Sequence, residues 1–146
     1  MNILNLKQHH HLLKDYVKLR NAFSKDLLSD HVTMEQTEAW LTRRDVEVLV
    51  AFDTRLIGAC ILHVYRNAEV TIFVADTGRG IGSLLLNKIE ELAQKRHILN
   101  LWAWTKLSNH AAQALFKKNN YTPQSRSVKI YHDNEITGIK FEKYIL

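Results

Sequence analysis

The chain has 146 residues, of which 46 % are apolar and 24 % charged. This suits one domain with a substantial core and excludes a disordered chain, and no uncharged apolar run is long enough to span a bilayer. Twenty Lys and Arg against 15 Asp and Glu give +5, a balance that suits a polyanionic small ligand and is too mild to demand nucleic acid. One cysteine, Cys60, excludes an internal disulfide and a cysteine-based zinc site. The first residues also lack the apolar run and cleavage site of a secretory signal, so a reducing cytoplasm is the expected location.

The first 45 residues read as helical. Leu12, Leu13, Tyr16, Val17, Leu19 and Phe23 recur at helix spacing, with Lys14, Asp15 and Lys18 off that face. Thr33 and Gln36 fit a capping box that opens a second helix carrying Trp40 and Leu41. His9, His10 and His11 are consecutive and lack the i, i+4 spacing of a helical metal pair, so no metal site is expected. From residue 46 the period changes to two: Val46, Val48, Val50 and Phe52 alternate with Glu47, Leu49 and Ala51 as a strand. A turn at 53–55 leads to a second strand at 56–65 and a third at 68–75, which together predict an antiparallel meander. The run GRGIG at 78–82 then opens a helix whose buried stripe is Leu84, Leu85, Ile89 and Leu92. A strand at 99–105 and a helix at 109–119 follow. Strands at 127–132 and 137–144, joined at Asp133-Asn134, close the chain. Only the third and fourth strands are joined by a helical crossover, so those two are predicted to be parallel. The expected architecture is a single α/β domain over 1–146, a mixed and mostly antiparallel sheet flanked by helices.

Three of the five glycines lie in GRGIG, at a strand-to-helix junction. The first N–H groups of such a helix lack intrahelical partners and point out along the positive end of its dipole, so the junction is a ready anion site. The backbone amides of Arg79, Gly80, Ile81, Gly82 and Ser83 are placed for it. A P-loop is excluded because no Lys-Ser/Thr pair follows Gly82. A dinucleotide fingerprint fails because Ser83 stands where its third glycine belongs and the next strand ends without an acid.

The loop Thr77-Gly78-Arg79-Gly80-Ile81-Gly82 resembles motif A of the GCN5-related N-acetyltransferases (GNAT), Q/R-x-x-G-x-G/A, with Thr77 in place of the usual Gln or Arg. The helix that begins at Asn109 and carries Ala112, Leu115 and Phe116 before Asn120-Tyr121 resembles that family's second half. The likeness spans roughly residues 46 to 146. It implies a parallel strand pair that splays apart to admit acetyl-CoA. Phe73 and Val74 would offer backbone groups to the pantetheine arm and residues 77–83 would hold the diphosphate. Asn109 and Phe116 would complete the coenzyme site, and a backbone N–H near Phe73 would stabilise the oxyanion.

Acetyl transfer to an amine requires a neutral nucleophile and therefore a base. The resemblance points to Glu69, at the start of the third strand, acting through water. Where many family members place a tyrosine as general acid, this chain has Phe116, which has no proton to give. A thiol with a pKa of about 8.5 leaves as thiolate at modest cost. Tyr121, Tyr131 and His132 are the alternative donors. Arg20-Asn21, followed by Thr33, Glu35, Gln36 and Trp40, resembles the N-terminal half of members that acetylate nucleotide-linked amino sugars, and places Arg20 and Asn21 near the acceptor. The expected partner is thus a small-molecule amine, not a membrane or nucleic acid, and a homodimer is compatible. A protein or peptide N-acetyltransferase and a non-catalytic coenzyme-binding module are the competing expectations.

Overall fold

The computed structural model describes residues 1–145. A short strand β1 (Asn2–Asn5) leads through two 3-10 turns to helices α1 (Leu13–Ala22), α2 (Ser24–Leu27) and α3 (Met34–Leu41). Strands β2 (Val46–Asp53), β3 (Arg55–His63) and β4 (Glu69–Val74) follow. Helix α4 (Ile81–Lys95) crosses to β5 (Asn100–Lys106), and α5 (His110–Lys118) precedes the hairpin of β6 (Thr122–Tyr131) and β7 (Asn134–Tyr144). The sheet has seven strands in the order β1-β2-β3-β4-β5-β7-β6. Every neighbouring pair is antiparallel except β4–β5. Among the described residues no helix is long and apolar enough to cross a membrane.

The meander, the crossover and the parallel pair match the sequence expectation. Three boundaries differ, each for a physical reason. Residues 2–5 are a strand, not the start of a helical region, and pair from Asn2↔Phe52 to Asn5↔Leu49. Four residues are too few to show a period, and the strand exists because β2 offers a free edge. Strand β6 starts at Thr122, well before the predicted 127, because it is an edge strand with nine of its ten residues exposed and so lacks apolar alternation. The final turn is His132-Asp133, both with positive φ (48° and 62°), which closes a two-residue hairpin loop against the pair Tyr131↔Asn134.

Strand alternation divides the core into two layers. Val46, Val48, Val50 and Phe73 pack toward α1 with Leu13 and Tyr16. Leu49, Ala51, Leu101 and Ala103 pack toward α4 and α5 with Leu85, Leu86, Ile89 and Phe116. Leu84, predicted as part of the α4 stripe, is 45 % exposed, and Leu86 is buried instead.

The feature that positions the site is the brevity of the β4–β5 contact. It has one register pair, Glu69↔Trp102, with Trp102 N–H donating to the Ala68 carbonyl at 3.3 Å. Beyond it the strands diverge. On the far side β5 is held in place by β7, from Asn100↔Tyr144 to Lys106↔Gly138. A Cβ on Gly138 would strike the Trp104 ring and lie 2.5 Å from the Thr105 carbonyl. Gly138→Ala is therefore expected to cost about 1–3 kcal/mol through overpacking, read as a lower urea midpoint at unchanged m-value.

Candidate active site

Where β4 and β5 separate, a cavity of about 910 Å³ opens, lined from the α5 side by Thr105, Asn109, Ala112 and Phe116. The glycine loop lies at its edge, with Thr77 in the lining. Gly78 and Gly80 have φ of +84° and +76°, a conformation that disfavours any side chain. Gly80 is the N-cap of α4 and supplies no side chain to cap it. The first helical bond runs from Leu84 N–H to the Gly80 carbonyl at 3.1 Å. The amides of residues 79–83 therefore have no acceptor among the described residues. Gly82 answers a different need: a Cβ there would approach Leu115 Cδ2 to 2.8 Å, so this glycine lets α4 and α5 meet. The Arg79 guanidinium is held between Asp53 (2.9 Å) and Asp76, which raises its pKa and ties the loop to the end of β2. Ser83 Oγ accepts from Asn119 Nδ2 at 3.0 Å.

The backbone direction of β4 is fixed by two hydrogen bonds. Ala75 N–H donates to the Ile57 carbonyl on β3 at 2.8 Å, whereas the Ala68 carbonyl faces β5. With a period of two, Thr71 and Phe73 turn their backbone groups to β3, and Val70, Ile72 and Val74 turn theirs into the gap. The expected ligand positions Phe73 and Val74 thus differ in direction: the Val74 backbone faces the gap and the Phe73 backbone faces β3. The Phe73 N–H belongs to the ladder, in register with Ala59, and the ring packs on Tyr16 and Phe23 at 6.2 and 5.5 Å between centroids. Ile72 shares the Val74 direction and faces the gap. Asn109 caps α5, its Oδ1 accepting from Ala112 N–H at 3.1 Å, and its Nδ2 has no acceptor among the described residues. Phe116 stacks on Phe141 with centroids 5.6 Å apart and touches Tyr121 edge-on.

None of the alternative proton donors expected from sequence lines the cavity. Tyr121 is 3 % exposed and its hydroxyl is buried without a partner, in the field of Glu90 and Cys60. Tyr131 and His132 both bond to Asp30, at 3.3 and 2.6 Å.

On the opposite face of the sheet the cavity continues under α1 and α3. Glu69 is 8 % exposed, so it is not a solvated edge residue, and its Oε1 accepts from Arg66 at 3.3 Å. Across the ladder from it stands His63, which no periodicity in the chain singles out. Its Nε2 lies 3.0 Å from Thr71 Oγ1 and its Nδ1 3.1 Å from the Tyr65 hydroxyl. Burial, and then the charge of Arg66, push its pKa down to about 3, so the ring is neutral at physiological pH. Trp40 packs beside it at 6.1 Å. Lys129 sits over the Trp104 ring at 4.3 Å, its pKa lowered mainly by burial and held up in part by Glu69.

Arg20 and Asn21 both act on the segment 24–33, which comprises α2 and the loop after it. Arg20, 8 % exposed, donates to the Asp30 carbonyl at 2.5 Å, to Ser24 Oγ at 3.2 Å and to Ser29 Oγ. Asn21 makes two bonds to the Val32 backbone, both 2.9 Å. Arg20 lines the cavity and Asn21 does not, so Asn21 shapes the wall from behind.

The depressed His63 pKa has a consequence for stability. Between its unfolded value, 6.5, and about 3, the unfolded chain binds a proton that the folded chain refuses. Stability is fully present above pH 6.5 and is lost as pH falls through that window. His63→Gln, neutral throughout, is expected to flatten the decline in melting temperature over this range while the wild type shows it.

Residues 11–121 match the family described as Acetyltransferase (GNAT) family. A search of the curated proteins finds no match. Among solved structures, the ribosomal-protein-alanine N-acetyltransferase from Brucella melitensis is 20 % identical, with a TM-score of 0.85 and 99 % of both chains covered. A phosphinothricin acetyltransferase from Sinorhizobium meliloti, solved with acetyl-CoA, is 13 % identical at a TM-score of 0.85, covering 99 % of this chain and 88 % of its own. Spermidine N-acetyltransferase from Vibrio cholerae, solved with CoA and spermine, is 14 % identical at 0.82, covering 99 % and 95 %. These likenesses speak to the fold. With three quarters of its length matched to the family, and a parallel strand pair that parts beside a glycine-capped helix, the chain belongs to the acetyltransferase (GNAT) family.

Proposed function

We propose that the protein transfers an acetyl group from acetyl-CoA to the primary amine of a small molecule, with a nucleotide-linked amino sugar as acceptor. The observation that carries the first half is the set of amides at 79–83 without acceptors, at the mouth of the gap between β4 and β5. Free amides clustered at the positive end of a helix suit a diphosphate. Acetyl-CoA carries one at the far end of a pantetheine arm, and that arm needs an extended edge to lie along. Val70, Ile72 and Val74 provide it. Asn109 Nδ2 supplies a further donor for an amide carbonyl of the arm.

Glu69 is the base. It is carboxylate-bearing, lines the cavity and stands on the face where the acceptor half opens. It removes the amine proton through water, so that the nitrogen lone pair can form the new C–N bond. The N–H of Val74 or Ile72, aimed into the gap, donates to the oxyanion that develops on the thioester carbonyl. His63, neutral and bonded to Thr71 and Tyr65, holds the polar side of this wall in one arrangement.

The acceptor half supports an anionic, ring-containing substrate. Arg66 and Lys129 bring positive charge to the cavity, and Trp40 and Tyr65 bring flat apolar surface. Phosphates pair with the first and a base or sugar ring lies on the second. Arg20 and Asn21 serve this half by fixing the 24–33 segment.

Isothermal titration of the wild type is expected to show acetyl-CoA binding, and heat no greater than dilution would end this reading. Glu69→Gln is expected to lower kcat by about 10²–10⁴-fold near neutral pH and by less at high pH, where free amine is plentiful. A parallel drop at every pH removes Glu69 from proton transfer. A thiol-release screen over nucleotide amino sugars, polyamines, amino acids and peptides tests the acceptor: preference for the first supports the proposal, and preference for peptides replaces it with a protein N-acetyltransferase.

A further inference from the structure

The reaction ends with a thiolate in the cleft, and the helix that faces it offers only a phenyl ring, Phe116. A hydroxyl does stand on that side. Thr105 lies on β5, at the same parity as Leu101 and Ala103, and therefore on the face of the sheet that packs against α4 and α5. It lines the cavity together with Asn109, Ala112 and Phe116. Its residue is 7 % exposed, and its Oγ1 is buried with no hydrogen-bond partner.

That last fact asks for an explanation. A buried hydroxyl without a partner is unfavourable by an amount comparable to a lost hydrogen bond, and a valine would fill the same volume without it. No group of the described residues pairs with it, and β5 at this point pairs only with β7 (Thr105↔Ile139), its other side bordering the gap. The other buried polar atoms without partners, on Glu90, Asn100 and Tyr121, belong to residues that do not line the cavity. Among the unpartnered buried atoms of the described residues, Thr105 Oγ1 alone belongs to a cavity-lining residue.

From this placement we infer that Thr105 is a catalytic residue, whose hydroxyl turns about χ1 from its buried position to the cleft and donates a hydrogen bond to the coenzyme sulfur as the thiolate leaves. The inference rests on the acetyl-CoA reading above. When the amine nitrogen has bonded to the carbonyl carbon, the C–S bond breaks and its electron pair goes to sulfur. The amine proton has gone through water to Glu69. Thr105 keeps its own proton and shares it with the sulfur, and solvent then protonates the thiolate. A hydroxyl suffices because the leaving thiol is acidic, with an ordinary pKa of about 8.5. Other hydroxyls line the cavity, but Tyr16 packs on Phe73 in the α1 layer, across the sheet from Phe116. Tyr65 and Thr71 are bonded to His63, Thr37 to the Thr33 carbonyl and Ser29 to Arg20, and Thr77 stands in the glycine loop before α4.

Thr105→Val keeps the shape and removes the donor, and Thr105→Ser keeps the donor. Thr105→Val is expected to lower kcat about 10- to 100-fold, the worth of a hydrogen bond to a charged atom, with KM for acetyl-CoA within about threefold. Thr105→Ser is expected to recover most of the loss. The second readout is the pKa of the bound CoA thiol, followed by thiolate absorbance against pH. It rises in Thr105→Val relative to wild type and Thr105→Ser, a change that a packing defect would not produce. Equal kcat and equal bound-thiol pKa in wild type and Thr105→Val overturn the inference, as does a thiol pKa that moves in Tyr16→Phe and not in Thr105→Val. Should Thr105→Val fail to fold, Thr105→Ser and Thr105→Ala are compared by the same thiol titration. Wild type that neither binds CoA nor turns over acetyl-CoA is a failure of the underlying reading; wild type that does both while Thr105→Val matches it is a failure of this inference alone.

Discussion

A parallel strand pair that meets at one position and then parts leaves backbone groups with nothing to bond. Ladder positions beyond Glu69↔Trp102 would ordinarily have been filled by β5. Each N–H kept from both protein and water would cost about 1–3 kcal/mol, so the gap is tolerable only because solvent or a ligand enters it. The amides of residues 79–83 lie at the same corner for a related reason: the first turn of any helix has no internal acceptors. Two independent shortages of acceptors thus meet in one cleft. One is linear, along β4, and the other is a cluster at the head of α4. A molecule with an extended amide arm and a diphosphate satisfies both.

The surrounding structure holds this arrangement open. β7 pins β5 along its whole length on the far side, so β5 cannot swing back to close the gap. Arg79 is drawn to Asp53 and Asp76, which anchors the glycine loop while leaving its amides exposed. Gly82 lets α4 approach α5 at Leu115, and the Asn109 cap of α5 lines the cavity. On the other face, a neutral His63 between Thr71 and Tyr65, and the Arg66–Glu69 pair, give the acceptor half a fixed polar wall. In the proposed function the two faces divide the labour, with the donor toward α4 and α5 and the acceptor toward α1 and α3.

Local chemistry made much of this legible in the sequence. Period-two alternation located β2, the turns after it set off β3 and β4, the glycines located the head of α4, and the Thr33–Gln36 capping box is present with both of its bonds, at 3.0 and 3.1 Å. What escaped was whatever depends on a partner distant in sequence. β1 is a strand because β2 has an edge, and β6 because β7 does. His63 becomes part of the site only through register with Glu69. The direction of the β4 amides, which favours Ile72 over Phe73, follows from a hydrogen bond to β3 that no pattern in the chain records. Arg20 and Asn21 were singled out as acceptor contacts, and their bonds show them fastening the loop that walls the cavity. Thr105 gave no signal at all, since a threonine in a strand is ordinary until its hydroxyl is found buried and alone.

The account turns on where the diphosphate sits, and amide chemical shifts report that directly. In a ¹⁵N-labelled sample titrated with coenzyme A, the N–H resonances of residues 79–83 should move downfield by the largest amounts in the spectrum, with adenosine, which lacks the diphosphate, leaving them in place. Saturation with coenzyme A while those resonances stay fixed and others move would contradict the account.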